Sequence, residues 1–334
     1  MHKKKKFLKV AALITFVVLT TGAGAFMWLF YEPPMPVNLP YGISKDSRFL
    51  AGIIAQSIDA KLFKSDCGNV LPFLMSSPLN IQDGKTYPLV IFLHGSSHQG
   101  TNNRRQFERP LHNGIKKHAP DSFVIYPQAK SIGFIRSIKD LFVRGKCFLM
   151  QYNWDGFMGQ EYNYSFMVYR LLDYIFDNDF IPADINRIYL IGYSMGGFGV
   201  TWFINDRPDF FAAAAVIAGR MSRMIDPDPE AFINIPMWIA HGKRDTIVDF
   251  ESGSQLADFV TNAGNKNVVF DVHENRGHSI QRTVFGNPEF YTWLFSHCYL
   301  PDKTLLQQKL SEWVQEYEEA HKILEAVKEN QSGE

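Results

Sequence analysis

The stretch IYLIGYSMGGFGVTW (residues 188–202) runs from an apolar strand pattern straight into glycines that enclose a single serine. Ile188, Tyr189, Leu190 and Ile191 have the composition of a buried strand. Gly192-Tyr193-Ser194-Met195-Gly196 follows, and the residues after it are compatible with a helix. In a Gly-x-Ser-x-Gly turn between strand and helix, the glycines allow the two elements to approach closely. The serine is then held on a tight turn with its hydroxyl projecting from the sheet. Backbone N–H groups at the helix start face that hydroxyl and favour negative charge developing on a nearby oxygen. A surface serine in a Gly-rich turn would give the same letters, so the rest of the chain must supply a base and an acid.

A serine hydroxyl is a weak nucleophile at neutral pH. It needs an imidazole to accept its proton and a carboxylate to orient that imidazole. Downstream, PMWIAHGKRDTIVDF places Asp245 in the loop after an apolar strand, and VVFDVHENRGHSI places His278 in a short loop after the next. Ser194, Asp245 and His278 therefore all fall beyond the C-terminal ends of strands, where parallel sheets build their sites. Asp249 is the rival acid, at a position suited to capping a helix. His273 is the rival base, inside a strand pattern. The oxyanion donors are expected to be the N–H of Met195 and one from the loop HGSSHQG, with Ser96 first and Ser97 next. Tyr193, Ser97 and Trp154 are expected to contact substrate. His94 and His98 lack the cysteine or carboxylate partners of a metal site, so no metal is expected there.

Apolar strand patterns alternate with helix-like segments through the body of the chain, which predicts an α/β fold with a mostly parallel sheet covered on both faces. Strands are expected in NVLPFLMSSP, LVIFLHG, FVIYPQ, RIYLIGYS, FFAAAAVIAG, IPMWIAHG and VVFDVHE, and a helix over 162–176. The 334 residues carry 34 basic and 34 acidic side chains, so net charge recruits no nucleic acid, and a small-molecule substrate is the default. MHKKKK precedes an apolar run that reaches Tyr31, which predicts an export signal over residues 1–31. It reads as an uncleaved anchor with the body outside the cytoplasm, periplasmic or extracellular. Ala23-Gly24-Ala25 leaves secretion after cleavage as the alternative. A Pro-rich linker occupies 32–45 and the catalytic domain 46–300, with 129–159 as a candidate cap insertion over the site. Of the three cysteines, Cys67 and Cys147 are a candidate pair, and Cys298 is the third. Residues 301–334 predict an amphipathic helix with Leu306, Leu310, Trp313, Tyr317, Ala320, Leu324 and Val327 along one seam. That seam suits either self-association or docking on its own domain.

Taken together, YPLVIFLHG, NRIYLIGYSMGGFGVTW, FFAAAAVIAG, IPMWIAHGKRDTIV and RGHSI resemble the α/β-hydrolase superfamily over residues 70–297. More narrowly, they resemble its carboxylesterase and dienelactone-hydrolase-like branch, which also holds predicted peptidases, feruloyl esterases and polyhydroxyalkanoate depolymerases. The resemblance implies a serine hydrolase without metal or organic cofactor, with Ser194, Asp245 and His278 at the family's catalytic positions. The insertion after Gln128, the membrane segment and the C-terminal helix depart from the pattern and bear on substrate. A carboxylic ester, lipid-like or small, is the expected substrate. A peptide amide or a non-catalytic binding role for the same fold are the alternatives.

Overall fold

Leu89, Val90, Ile91, Phe92 and Leu93 are all fully buried, so both faces of the strand that carries them are covered. In the computed structural model, which describes residues 35–36, 38–47, 58–66, 68–130, 154, 164–223, 225–299, 311–312 and 314–315, this strand is β4 (Tyr87–Leu93). It pairs in parallel with β5 (Phe123–Pro127) on one side and β6 (Ala183–Tyr193) on the other. Beyond β6, the parallel sheet continues through β7 (Ala213–Ile217), β8 (Met237–Gly242) and β9 (Val268–His273). The seven strands expected from sequence are all present.

Two further strands, β1 (Gly42–Lys45) and β2 (Ile58–Lys64), precede β3 (Val70–Ser76) and extend the other edge with antiparallel pairing. Among the described residues the sheet order is β1-β2-β3-β5-β4-β6-β7-β8-β9. Every element here lies within the unit Val37–Glu334.

Side chains alternate across each strand. Leu89, Ile91, Leu93, Leu190, Val216 and Ile239 face one core. That face is covered by α2 (Tyr164–Asp177), α3 (Met195–Asp206) and α4 (Phe250–Asn262) through residues such as Leu172, Phe203 and Val260. Val90, Phe92, Tyr189, Ile191, Ile217 and Ala240 face the other core. There α1 (Arg109–His118), α5 (Gln281–Val284) and α6 (Pro288–Ser296) supply Leu111, Ile115, Val284, Phe290 and Leu294. Local signals place these helices: Pro110 and Pro288 stand in the first turns of α1 and α6. Asn287 and Asp249 cap α6 and α4 with side-chain oxygens.

The candidate anchor over residues 1–31 and the cysteines Cys67 and Cys147 lie outside the described residues. Among the described residues no helix is long and apolar enough to cross a membrane. Of the candidate cap, the described residues are Ala129, Lys130 and Trp154. Of the C-terminal segment they are Ser311, Glu312, Val314 and Gln315, all four helical. Val314 is buried, and Ser311 Oγ donates to Asp173 Oδ1 of α2 at 3.1 Å, so at these positions the chain docks on its own domain. Leu190 sits at the centre of the first core with no exposure. Leu190→Ala is expected to lower stability by about 2–5 kcal/mol, read as a reduced urea midpoint at unchanged m.

Candidate active site

The turn after β6 holds Ser194 at φ 55° and ψ −117°, a conformation rarely tolerated by a residue with a Cβ. Such strain costs about 1–3 kcal/mol and persists only where the surroundings enforce it. Here Ser194 N–H donates to Ile217 O of β7 at 2.8 Å, and Ser194 O accepts from Gly197 N–H at 2.8 Å as α3 begins. The flanking glycines are required sterically. A Cβ at position 192 would collide with the Gly196 carbonyl, and one at 196 with the Leu93 carbonyl at the end of β4. The glycine spacing read from sequence is therefore the spacing at which strand, helix and neighbouring strand can touch.

Ser194 Oγ lies 2.9 Å from His278 Nε2, and His278 Nδ1 lies 2.7 Å from Asp245 Oδ2. The three side chains expected from sequence form one hydrogen-bonded line. Asp245 stands just past β8, and its Oδ1 accepts from the N–H groups of Ile247 at 2.8 Å and Val248 at 3.0 Å. Burial alone would raise its carboxyl pKa. The hydrogen bonds from His241, His278 and the Ile247 N–H outweigh burial and hold the group well below the usual carboxylate range. The carboxylate and His278 loops are stitched together by backbone: Lys243 N–H donates to His273 O at 3.0 Å and Arg244 N–H to Arg276 O at 2.9 Å. Gly242 is needed for this approach, since a Cβ there would strike the Gly277 and Arg276 carbonyls.

The rivals lie apart from this line. Asp249 Oδ1 accepts from Ser252 N–H at 2.8 Å as the cap of α4, and His273 lies on β9 with Asp271 at 3.2 Å. His241 is a partner the sequence reading did not single out. It is fully buried on β8, donates through Nε2 to Val248 O at 2.9 Å, and lies 3.4 Å from Asp245 Oδ2. Its signal was present as a histidine four residues before the acid.

Met195 follows the serine at the start of α3, and Ser96 lies in the loop after β4. Among the described residues neither N–H has a backbone acceptor, and both residues line the cavity at Ser194. That cavity is about 180 Å³, walled by Ser97, Tyr193, Phe198 and Ile247 beside Ser194 and His278. Tyr193 and Ser97 thus lie where substrate contact was expected, and Phe198 and Ile247 join them. Tyr193 Oη donates to His278 O at 3.4 Å, and burial holds its phenol up at about 12, so it serves as a neutral donor.

Trp154 differs from expectation. It has no exposure and does not line this cavity. Its indole N–H donates to His94 O at 3.1 Å, and its carbonyl accepts from Ser165 Oγ. Trp154 therefore braces the loop that carries Ser96 from behind. His94 does the same: its Nδ1–H donates to Gly95 O at 2.8 Å, and its Nε2 accepts from Ala129 N–H at 3.0 Å. Both ring nitrogens are used by a neutral imidazole, which leaves none for a metal. Among the described residues no group of three or more His, Cys, Asp or Glu is placed to hold a metal ion.

Burial drives the His94 pKa from 6.5 down to about 3, and that of the buried His112 to about 4. Below about pH 6.5 the unfolded chain takes up protons that the fold refuses, so stability falls on acidification through that window. The slope is up to about 1.4 kcal/mol per pH unit for each such histidine. Urea unfolding between about pH 7 and about pH 5 should show this loss, and His94→Gln should flatten the slope by close to one proton. An unchanged slope would mean that His94 is not held neutral.

Comparison with known proteins agrees with the geometry. The family model described as phospholipase/carboxylesterase matches residues 162–289, the span that holds Ser194, Asp245 and His278. No curated protein matches the chain. Among solved structures it is similar to a thermostable esterase at 25% identity and a TM-score of 0.60, covering 74% of this chain. The chain spans 64% of that esterase's length. A ferulic acid esterase matches at 16% identity and TM-score 0.53, over 71% of this chain and 98% of its own. The fluorophosphonate-binding serine hydrolase F of Staphylococcus aureus, solved with substrate bound, matches at 16% and TM-score 0.50, over 71% and 97%. The last two likenesses concern the fold alone. Strand order, the serine turn and these similarities together give the chain an α/β-hydrolase fold that is similar to that of a thermostable esterase.

Proposed function

We propose that this protein is a serine hydrolase that cleaves carboxylic esters through an acyl-enzyme. The observation that carries the reading is the unbroken line from Asp245 through His278 to a serine held on a strained turn. Ser194 Oγ attacks the ester carbonyl carbon while His278 Nε2 takes the hydroxyl proton, and Asp245 steadies the imidazolium that forms. The carbonyl oxygen gains negative charge facing the N–H groups of Met195 and Ser96. As the carbonyl reforms, the alcohol departs with the proton from His278. Water, deprotonated by the same imidazole, then attacks the acyl-serine and releases the acid. The likeness to the esterase branch supports an ester as the bond. The cavity of about 180 Å³ with Phe198 and Ile247 in its walls favours short, apolar acyl groups. The lysine-rich start and the apolar run behind it support a body held outside the cytoplasm on an N-terminal anchor.

Hydrolysis of 4-nitrophenyl acetate, butyrate and octanoate by the full chain tests this reading. Acetate and butyrate should be cleaved faster than octanoate, and Ser194→Ala should lower kcat by roughly 10⁴–10⁶-fold. A fluorophosphonate should label Ser194 in the native protein and fail to label the variant. Turnover that survives in folded Ser194→Ala protein would refute the assignment.

A further inference from the structure

Asp245 is held by more than His278. Its Oδ1 accepts two backbone N–H groups, whereas its Oδ2, the oxygen 2.7 Å from His278 Nδ1, also lies 3.4 Å from His241 Nε2. His241 stands on β8 with no exposure, and strand alternation turns it to the same face as the core residues Met237 and Ile239. An apolar side chain is the ordinary occupant of such a position, because a buried imidazole is tolerated only when it is hydrogen-bonded.

The surroundings of the ring fix its protonation. Nε2 lies 2.9 Å from Val248 O, which can only accept, so Nε2 carries a hydrogen. Nδ1 has no hydrogen-bond partner among the described residues, and a Cβ on Gly253 of α4 would strike it. A second ring proton would therefore be buried with nothing to accept it. The ring is the neutral Nε2–H tautomer, packed edge-on against Phe250 of α4 with 6.1 Å between centroids.

This single N–H is shared between two acceptors, Val248 O at 2.9 Å and Asp245 Oδ2 at 3.4 Å. Val248 N–H in turn donates to Asp245 Oδ1 at 3.0 Å. His241 thus grips both the carboxylate and the turn that cradles it. Burial would raise the Asp245 carboxyl pKa, and the hydrogen bond from His241 is foremost among the contributions that outweigh burial.

We propose that His241 is a positioning residue that holds Asp245 Oδ2 in line with His278 Nδ1. This role rests on the hydrolase reading above and deepens it. His241 does not line the cavity at Ser194, so it acts through the carboxylate and not on substrate. Without it, Oδ2 has His278 alone to fix its place, and the acceptor that selects the Nδ1–H tautomer of His278 loosens.

Nuclear magnetic resonance of the full chain with isotope-labelled histidine should show His241 as the neutral Nε2–H tautomer, and a low-field Nδ1–H proton on His278. His241→Leu, checked for folding by near-ultraviolet circular dichroism, should lose that low-field proton. Its kcat for 4-nitrophenyl butyrate should fall by roughly tenfold to a hundredfold with KM changed by less than about twofold, and fluorophosphonate labelling should slow in parallel. His241→Gln, which returns an N–H at a comparable reach, should recover most of the loss. His241→Asn, polar but too short to reach Oδ2, serves where the leucine variant does not fold. A purely structural histidine would lower the urea midpoint of these variants while kcat and the His278 proton stayed as they are in the native chain, and that result would overturn the proposal. An Nδ1–H or doubly protonated His241, or equal losses in the glutamine and leucine variants, would overturn it too. A native chain that neither cleaves the ester nor takes the label would remove the hydrolase reading. In that case the His278 proton still decides the positioning role, upheld by its loss in His241→Leu and overturned by its persistence there.

Discussion

The site depends on how closely the first turn of α3 passes over the end of β4. A single Cβ at Gly196 would drive the helix off the Leu93 carbonyl, and one at Gly192 would drive strand from helix. With both absent, the helix start, the serine and the loop after β4 occupy one small volume. Ser194 then has only a strained backbone conformation available to it, held by its hydrogen bonds to Ile217 and Gly197. The same contact brings Met195 and Ser96 into the walls of the cavity at the hydroxyl. Close packing of backbone on backbone thus carries the chemistry, and the large cores on either face of the sheet keep that packing in place.

A second constraint aligns the other half of the site. Asp245 and His278 follow different strands and are 33 residues apart in the chain. Their separation is settled by backbone hydrogen bonds between the loops after β8 and β9, with Gly242 admitting the contact. The carboxylate receives backbone N–H groups on one oxygen and imidazoles on the other. It is therefore ionised and immobile where His278 needs it. His241 extends the arrangement inward, and Gly253 makes room for its ring. Behind the loop that carries Ser96, His94 and Trp154 play the corresponding part, so both loops of the site rest on buried polar side chains rather than on solvent.

Legibility in the sequence followed how local each feature is. Most of the seven apolar strands were readable because burial on both faces leaves a run with few polar residues, and the half-buried β9 because Val268, Val269, Phe270 and Val272 dominate it. β1 and β2 were not, because an antiparallel edge alternates charged and apolar residues, as in Asp59, Lys61 and Lys64 of β2, and owes its existence to pairing with β3. Ser194, Asp245 and His278 were readable because each follows an apolar strand at a turn. Trp154 was misread because its indole is large and aromatic wherever it packs. Only its hydrogen bond to His94 O shows that it supports the loop carrying Ser96 from the core.

The sequence by itself determined the order of the strands along the chain, the strained serine turn and the three side chains that converge on it. These depend on residue type and near-neighbour spacing: which residues form a buried strand, and where glycine permits a close approach. Only the tertiary structure decided which walls surround the serine and what lies beside them. Phe198 and Ile247 come from a helix and a separate loop, and sheet order rather than proximity in the chain brings them together. A parallel sheet gathers the ends of strands distant in sequence at one edge, so the three aligned side chains announce themselves locally while their surroundings do not.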